Sequence, residues 1–151
     1  MNDCYYIAEL NLPSKSAYAV HVFQMCNALS KSGLNVTLLI PYVNSKTIKN
    51  LKNNFAIKHN FKIRSVFKKK RNINFINKYF FSRSCLNYLK NKNKTLIISR
   101  SIISSILLSK NNIFNYLEIH HELKGLTKFL HYLNKKSLYK KIKYILINKY
   151  L

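Results

Sequence analysis

The sequence predicts an α/β fold in which helices cover both faces of a mostly parallel sheet. Two observations lead to this prediction. Short apolar runs typical of buried strands recur along the chain, and segments with apolar residues at helical spacing lie between them. Strands and helices that alternate in this way form parallel sheets with right-handed crossovers. A chain of 151 residues can build one core of ordinary size but not two, so we expect one domain covering residues 1–151.

The clearest strand–helix–strand unit lies at the start of the chain. An apolar run at 5–8 is followed by turn residues at 11–16, and a helix begins near Tyr18. One stripe of this helix is apolar and consists of Tyr18, Val22, Met25, Cys26 and Leu29. Gly33 supplies the left-handed residue that ends a helix, and the apolar run at 36–40 is the second strand.

Further elements follow from the same periodicities. The predicted helices cover residues 44–54, 73–89, 102–110 and 127–134, and the predicted strands cover residues 61–66, 95–99, 116–120 and 144–147. The strand at 61–66 alternates apolar and polar residues, which is typical of a sheet edge. The helix at 73–89 combines an apolar stripe with additional aromatic residues. That stripe consists of Ile73, Ile76, Phe80, Leu86 and Leu89.

The composition is strongly basic, with 27 Lys and Arg against 4 Asp and Glu and a formal charge of +23. Such a charge is typical of proteins that bind nucleic acid, anionic membranes or other polyanions. The excess of Lys accompanies abundant Asn, Ile, Tyr and Phe, all residues with A/T-rich codons, so genome composition accounts for it without a partner. We therefore expect no specific nucleic-acid partner. The run at 68–71 is either a solvated loop or a weak dock for acidic lipid headgroups.

The cysteines and the hydropathy pattern indicate a protein of a reducing compartment. Cys4, Cys26 and Cys85 are odd in number and lack metal-ligand spacing, so we expect free thiols. The most apolar window, at 95–108, contains Arg100 and is shorter than the roughly 20 residues that a spanning helix needs. With no secretory signal, the expected location is cytoplasmic, and contact with the inner membrane face stays open.

Ligands of open α/β sheets bind beyond the carboxyl ends of the strands, so the loops after the first, fourth and fifth strands are the candidate sites. The first loop carries Ser14 and Ser16 ahead of a helix N-terminus, where free N–H groups favour an anion, although both serines also suit simple helix capping. It lacks the glycine pattern of a dinucleotide site, and no cofactor is expected. Arg100 ends the fourth strand and suits a phosphate or carboxylate, or else it escapes to solvent.

Half of the acidic residues of the chain lie in the segment 118–122, beside two histidines. Strand alternation places Glu118 and His120 on one face and His121 on the other. Neighbouring histidines do not converge easily on one ion from a strand, so we predict no metal here. A single buried histidine is most often a satisfied core residue, and a ligand contact at the cleft is the alternative.

Residues 14–41 resemble the opening of the N-terminal domain of family 4 glycosyltransferases, which have the GT-B fold. The helix ends in a similar pattern, A-L-S-K-S-G-L-N-V. The segments L-I-I-S-R-S and Y-L-E-I-H-H-E-L are similar to the strand-end Arg and the E-x-H segment of that domain. The resemblance covers essentially the whole chain in order and implies a Rossmann-like N-terminal half of a GT-B enzyme.

The resemblance also implies roles for individual residues. His120 would contact the donor sugar, Arg100 would line the cleft beside it, and Glu118 would help to form the substrate site. The first loop, with Ser14, Lys15 and Ser16, would face the donor phosphate or the acceptor. Members of the family often have glycines in this loop. The second domain, which binds most of the nucleotide-sugar and carries an E-x7-E motif, is not found in the sequence.

The resulting functional hypothesis is the acceptor-side domain of a retaining, nucleotide-sugar-dependent glycosyltransferase, present as a fragment or split product and inactive alone. Its partners would be a nucleotide-sugar and an unknown acceptor, bound together with a second domain. Two alternatives stay open. One is a basic module that binds anionic lipid or nucleic acid through residues 68–71, and the other is a structural half that pairs with a separately encoded domain.

Overall fold

The computed structural model describes most of the chain, and the described residues include a six-stranded sheet. The described residues are 2–14, 16–44, 48, 59–72, 74–92, 94–120, 125, 128–130, 132 and 141–146. The predicted helix at 44–54 lies almost entirely outside these residues, as do Lys15, Ile73 and His121. Of the predicted helix at 127–134, residues 128–130 and 132 are described, and they are helical.

The first unit matches its prediction closely. Strand β1 spans Asp3–Ile7, helix α1 spans Ala17–Lys31 and strand β2 spans Asn35–Ile40. Ser16 caps α1, because its side-chain oxygen accepts a hydrogen bond from the backbone N–H of Ala19. Gly33 has a φ of 85°, the left-handed conformation that the sequence pattern required at the end of this helix.

The remaining elements continue the alternation. Strand β3 spans Lys62–Ser65, helix α2 Phe75–Leu89, strand β4 Leu96–Ser99, helix α3 Ile102–Lys110, strand β5 Asn115–Ile119 and strand β6 Ile142–Leu146. Each helix begins at a side-chain cap, which is Asn74 for α2 and Ser101 for α3. None of the helices in the described part of the chain is long and apolar enough to cross a bilayer.

All six strands form one parallel sheet in the order β3-β2-β1-β4-β5-β6. Strands β2 and β3 are added in sequence on one side of β1. The chain then returns so that β4 pairs with the other side of β1, and β5 and β6 follow on that side. The order therefore reverses between β1 and β4, and open parallel sheets bind their ligands at the carboxyl ends of strands at such a reversal. We call this position the crevice. The backbone N–H of Arg100 donates to the carbonyl of Ile7 over 2.9 Å and fixes the turn after β4 against the end of β1. This confirms the predicted fold class and places β3 at an edge.

Helices pack on both faces of the sheet. Strand alternation sends Cys4 and Tyr6 toward α1, where they meet Phe23 and Cys26 in one apolar cluster. Tyr5 and Ile7 point the other way, toward a cluster formed by residues of α2 and α3 that includes Phe81, Cys85 and Leu108. A smaller cluster joins α3 to β5 and β6 through Ile106, Leu117 and Ile142.

The three cysteines are buried free thiols, as the sequence predicted. Burial raises the pKa of Cys4 to about 12, and it raises the pKa values of Cys26 and Cys85 as well. Since the thiolate is the reactive form, these side chains act as small apolar groups of the core.

Helix α2 buries only part of the stripe that the sequence predicted, since Leu86 and Leu89 lie in the core as expected but the first turns do not. Ile76 and Phe80 were expected in the apolar stripe, but their exposed fractions are 63% and 48%. Phe81 and Cys85 lie in the core instead, together with Leu86 and Leu89. The prediction counted large apolar residues and overlooked small ones. Ser82 and Cys85 are buried beside Phe81 because α2 lies close to α3, where Ser104 donates a hydrogen bond to Ser82 over 2.8 Å.

The two faces of α2 can be tested with a matched pair of substitutions. Phe81→Ala should lower the free energy of unfolding by about 3–5 kcal/mol, since it leaves a cavity between α2 and the sheet. Phe80→Ala, one residue earlier, should change it by less than about 0.5 kcal/mol because that ring is already hydrated. Urea denaturation followed by circular dichroism measures both. Equal losses for the two variants would show that the buried face is assigned incorrectly.

Candidate functional site

Polar side chains from four elements meet at the crevice between β1 and β4. Arg100 directly follows β4, Glu118 is the fourth residue of β5, and His120 directly follows β5. Helix α1 and strand β1 add His21 and Tyr6 to this group. The structure therefore brings three predicted site residues together, as expected for residues at the carboxyl ends of neighbouring parallel strands.

The carboxylate of Glu118 lies at the centre of the cluster and its side chain is fully buried. The hydroxyl of Tyr6 donates to Oε2 over 2.5 Å. The Nε2 atom of His21 lies 2.8 Å from Oε1, and the Nε2 atom of His120 also contacts Oε1. Arg100 completes the shell with its Nε atom 3.6 Å from the same oxygen. Each carboxylate oxygen therefore has a partner, which is the condition for burying a negative charge.

The guanidinium of Arg100 is buried between this carboxylate and an aromatic ring. Its side chain is 7% exposed, and its Cζ atom lies 4.2 Å from the centre of the Tyr18 ring. Such stacking is favourable for a cation and holds the planar group in place. The Nη1 atom is buried and makes no hydrogen bond to the residues that the structure describes. Arg100 thus retains donor capacity next to the first turn of α1.

The two histidines form an edge-to-face pair. Their ring centres are 4.4 Å apart at an interplanar angle of 82°. Both direct Nε2 toward Glu118, so the hydrogen-bond network assigns the proton to Nε2 when each ring is neutral. The side chains of His21 and His120 are 29% and 16% exposed, which makes them the part of the cluster that a ligand can approach.

The environment lowers the pKa values of His21 and Glu118, for different reasons. Burial lowers the pKa of His21, and the charges of Arg100 and His120 act in the same direction, whereas Glu118 raises it; on balance the pKa lies below its ordinary value. Burial by itself raises the pKa of Glu118. Hydrogen bonds from Tyr6 and His120 and the charge of Arg100 outweigh it, so the net pKa is lowered.

The tyrosines of the cluster stay neutral. Burial and the neighbouring carboxylate raise the pKa of the Tyr6 hydroxyl far above its ordinary value. Burial raises the pKa of Tyr18 to about 12. The cluster at neutral pH therefore pairs the Glu118 carboxylate with the Arg100 guanidinium, and the Tyr6 hydroxyl is a neutral donor beside them.

One atom each of His21, Glu118 and His120 could serve as metal ligands, since the three atoms lie within 4.8 Å of one another. The prediction of no metal considered His120 and His121 and missed His21, which approaches from α1. The charge of Arg100, however, lies 3.6 Å from the oxygen that would bind the ion and opposes a divalent cation. The donor set therefore suits a hydrogen-bonded charge cluster better than a metal centre.

The first loop forms a separate group at the start of α1. The hydroxyl of Ser14 donates to the hydroxyl oxygen of Ser16 over 2.9 Å; Ser14 is half-buried and Ser16 is exposed. Ser16 caps the helix, which is the simple capping role that the sequence allowed for this serine. Within the described parts of the loop, no hydrogen bond joins Ser14 or Ser16 to Arg100 or Glu118. Anion binding at this loop stays a prediction.

A second carboxylate marks the same edge of the sheet. Glu9 follows β1, accepts a hydrogen bond from the hydroxyl of Ser101 over 2.6 Å and lies 3.0 Å from the Nζ atom of Lys78 on α2. Since Ser101 is the next residue after Arg100, this ion pair ties the beginning of α2 to the crevice.

Neither a protein-family model nor a curated protein sequence matches this chain. Two solved structures of UGT2 from Phytolacca americana match its fold. The complex with UDP-2-fluoro-glucose and pterostilbene aligns over 94% of this chain at 9% identity with a TM-score of 0.50. The apo structure aligns over 95% at 12% identity with the same TM-score. The chain has a glycosyltransferase-like fold.

This likeness spans about a third of the neighbour, 35% of the complexed chain and 34% of the apo chain. It agrees with the predicted Rossmann-like part of a GT-B fold. At these identities the likeness concerns the fold alone, and the narrower resemblance to family 4 enters only as a proposal.

The sequence did not reveal Tyr6, Tyr18 or His21 as members of the cluster. Tyr18 was placed in the apolar stripe of α1, and His21 lies three residues later, on the border of that stripe. A polar residue beside a buried helix face was the available signal. Tyr6 gave no such signal, because a tyrosine inside a buried strand is ordinary.

Removing the central carboxylate should destabilise the protein strongly. Glu118→Gln leaves the buried charge of Arg100 without its anion, and we expect a loss of about 3–5 kcal/mol in the free energy of unfolding at neutral pH. Glu9→Gln is the matched control; it keeps an acceptor for Ser101 and breaks only a partly exposed ion pair, which should cost about 1 kcal/mol or less. Similar losses in urea denaturation would contradict the central role of Glu118.

The pH dependence of stability should follow from the two lowered pKa values. Both groups have a lower pKa in the folded protein than in the unfolded chain, so the unfolded chain binds more protons than the folded protein as the pH falls. The stabilisation is therefore complete above the unfolded pKa and is lost as the pH falls through the folded pKa. The loss should begin below about pH 6.5 through His21 and continue below about pH 4.3 through Glu118. His21→Asn should flatten the upper part of the profile and Glu118→Gln the lower part. Profiles parallel to the wild type would refute the assignment.

Proposed function

We propose that this chain is the N-terminal, acceptor-side domain of a retaining glycosyltransferase that uses a nucleotide-sugar donor. The observation that carries the proposal is the buried cluster of Arg100, Glu118 and His120 at the strand-order reversal of a glycosyltransferase-like sheet. The resemblance of residues 14–41, 96–101 and 116–123 to family 4 supports the same conclusion. The cluster lies where open parallel sheets bind their ligands.

In this proposal the histidines recognise hydroxyl groups of the substrates. Glu118 contacts both rings at their Nε2 atoms and holds them in place before a sugar binds, so binding costs no further loss of side-chain freedom for the rings. The lowered pKa of His21 keeps it neutral near pH 7, and its Nδ1 atom then carries a lone pair that accepts a hydrogen bond from a hydroxyl. His120 contacts the donor sugar, as the resemblance implies.

Arg100 provides positive charge for the diphosphate of the donor or for an acidic acceptor group. Its Nη1 atom has no partner among the described residues, and its stacking on Tyr18 directs it toward the first turn of α1. The loop with Ser14, Lys15 and Ser16 precedes that turn, where backbone N–H groups favour an anion. Charge placed in advance where a leaving group becomes negative is an efficient form of catalysis.

Transfer also requires a second domain to hold the nucleotide. The chain spans about a third of the structures that share its fold. Holding donor and acceptor in reactive geometry contributes roughly 7–11 kcal/mol to such reactions, and one wall of a cleft does not fix a donor in this way. Residues 1–151 alone are therefore expected to bind substrate weakly and to transfer no sugar.

The test is an NMR titration of the 15N-labelled protein with a panel of nucleotide-sugars, combined with a transfer assay. At millimolar ligand, the amide signals of residues 100–101 and 118–120 should shift, and Arg100→Met should abolish the shift at the first of these segments. Turnover should stay at background for the chain alone. When a donor-binding domain is supplied, His120→Ala should lower turnover by about 10²-fold or more.

Two control variants make this test specific. Arg83→Met removes an exposed cation on α2, and His59→Ala removes a histidine that precedes β3; neither should alter binding or turnover. Equal effects of Arg83→Met and Arg100→Met would reduce the interaction to general electrostatic attraction. Sugar transfer by the isolated monomer would refute the need for a second domain.

A further inference from the structure

The connection from β3 to α2 carries a concentrated positive charge. Lys68, Lys69, Lys70 and Arg71 are consecutive and all solvent-exposed. Loops that follow parallel strands lie at the carboxyl edge of the sheet, so this charge lies on the same edge as the crevice. The guanidinium of Arg71 packs 4.7 Å from the centre of the Phe67 ring, which holds one end of the run close to the protein surface.

The first turns of α2 add an apolar surface beside this charge. Phe75, Ile76, Tyr79 and Phe80 are 48%, 63%, 39% and 48% exposed. Phe75 and Tyr79 are helical neighbours four residues apart, and so are Ile76 and Phe80. The ring centres of Tyr79 and Phe80 are 6.0 Å apart, which joins the two pairs into a single patch. We call it, together with residues 68–71, the docking surface. Large exposed apolar groups in contact with one another mark an interaction site.

We propose that the docking surface binds a bilayer that contains anionic lipids. Aromatic and aliphatic side chains on one helix face insert at the boundary of the headgroups, and adjacent lysines attract anionic headgroups. Both parts contribute to membrane binding: the basic run attracts the anionic headgroups, and the apolar patch buries its side chains among the lipids. Bound in this way, the chain would lie on the membrane surface.

Other occupants fit the same surface less well. A second copy of the chain would bring together two molecules with a formal charge of +23 each. Nucleic acid would use the lysines but not Ile76, and stacking platforms for bases lie on open strands or loops rather than on a helix. Both occupants are outcomes that the experiment distinguishes.

The position of the docking surface identifies a class of acceptor, an inference that rests on the proposed function. Lys78 lies on α2 between Ile76 and Tyr79 and forms an ion pair with Glu9. Glu9 also accepts a hydrogen bond from Ser101, the residue directly after Arg100, so these contacts connect the docking surface to the crevice. A bilayer bound at this surface therefore borders the crevice. The acceptor hydroxyl would belong to a membrane lipid or a lipid-linked molecule, which reaches His120 without leaving the bilayer.

Vesicle co-sedimentation tests the docking surface without any donor or turnover. The protein should bind vesicles of phosphatidylcholine with phosphatidylglycerol and should not bind pure phosphatidylcholine. Replacing Lys68, Lys69, Lys70 and Arg71 by Gln should weaken binding by roughly fivefold per residue at low salt. The double variant Ile76→Ser and Phe80→Ser should abolish the binding that remains at high salt, where charge is screened.

The matched control removes the same charge from the opposite edge of the sheet. Lys31, Lys90, Lys92 and Lys110 are exposed at or just beyond the C-terminal ends of the three helices, and their replacement by Gln should leave vesicle binding nearly unchanged. Equal weakening by both quadruple variants would overturn the proposal in favour of general charge. Unchanged high-salt binding in the serine variant, or concentration-dependent self-association lost in that variant, would overturn it as well.

The acceptor inference has its own outcomes. If vesicles bind but nucleotide-sugars cause no shift near Arg100, the docking surface is supported and the glycosyltransferase proposal fails. If transfer with a donor-binding domain proceeds equally well to soluble and to vesicle-bound acceptors, the lipid acceptor is refuted while the proposed function survives. Competition of an oligonucleotide for the docking surface with higher affinity than vesicles would assign the surface to nucleic acid instead.

Discussion

The burial of Glu118 is the constraint on which the arrangement of the crevice depends. An ionised carboxylate taken out of water costs several kcal/mol unless hydrogen bonds and an opposite charge compensate for it. Here the compensation comes from β1 through Tyr6, from α1 through His21, and from the turn after β4 through Arg100. These contacts hold one helix and three strands in a fixed relation at the carboxyl edge. A site for a hydroxyl-rich ligand benefits from such rigidity, because the side chains are already positioned before the ligand binds.

Charge is distributed unevenly around this centre. The few acidic side chains with defined roles are turned inward or paired, as Glu118 and Glu9 show, while the basic residues of the docking surface face solvent. The charges inside the crevice are therefore paired, while exposed positive charge lies on the same edge of the sheet. Such a field attracts anionic ligands and surfaces toward the carboxyl edge over distances of about a Debye length.

The fold followed from local patterns, whereas the site followed from them only in part. Helix α1 could be delimited because Gly33 and the apolar stripe act within a few residues, and the proximity of Arg100 to Glu118 followed from the rule for parallel strands. Tyr6 and His21 lie 112 and 97 residues from Glu118 in sequence, and no local pattern encodes such contacts. The buried face of α2 was predicted correctly at Leu86 and Leu89 but not in the first turns of the helix, because the pairing of Ser82 with Ser104 across two helices overrode side-chain size.

The three buried cysteines give the protein a set of internal reporters. Cys4 lies on β1, Cys26 on α1 and Cys85 on α2, so they sample the sheet and the helices on its two faces. Because burial suppresses the thiolate, an alkylating reagent modifies each sulfur only after its surroundings open. The relative rates of alkylation thus rank the opening of the two helical layers without any engineered label.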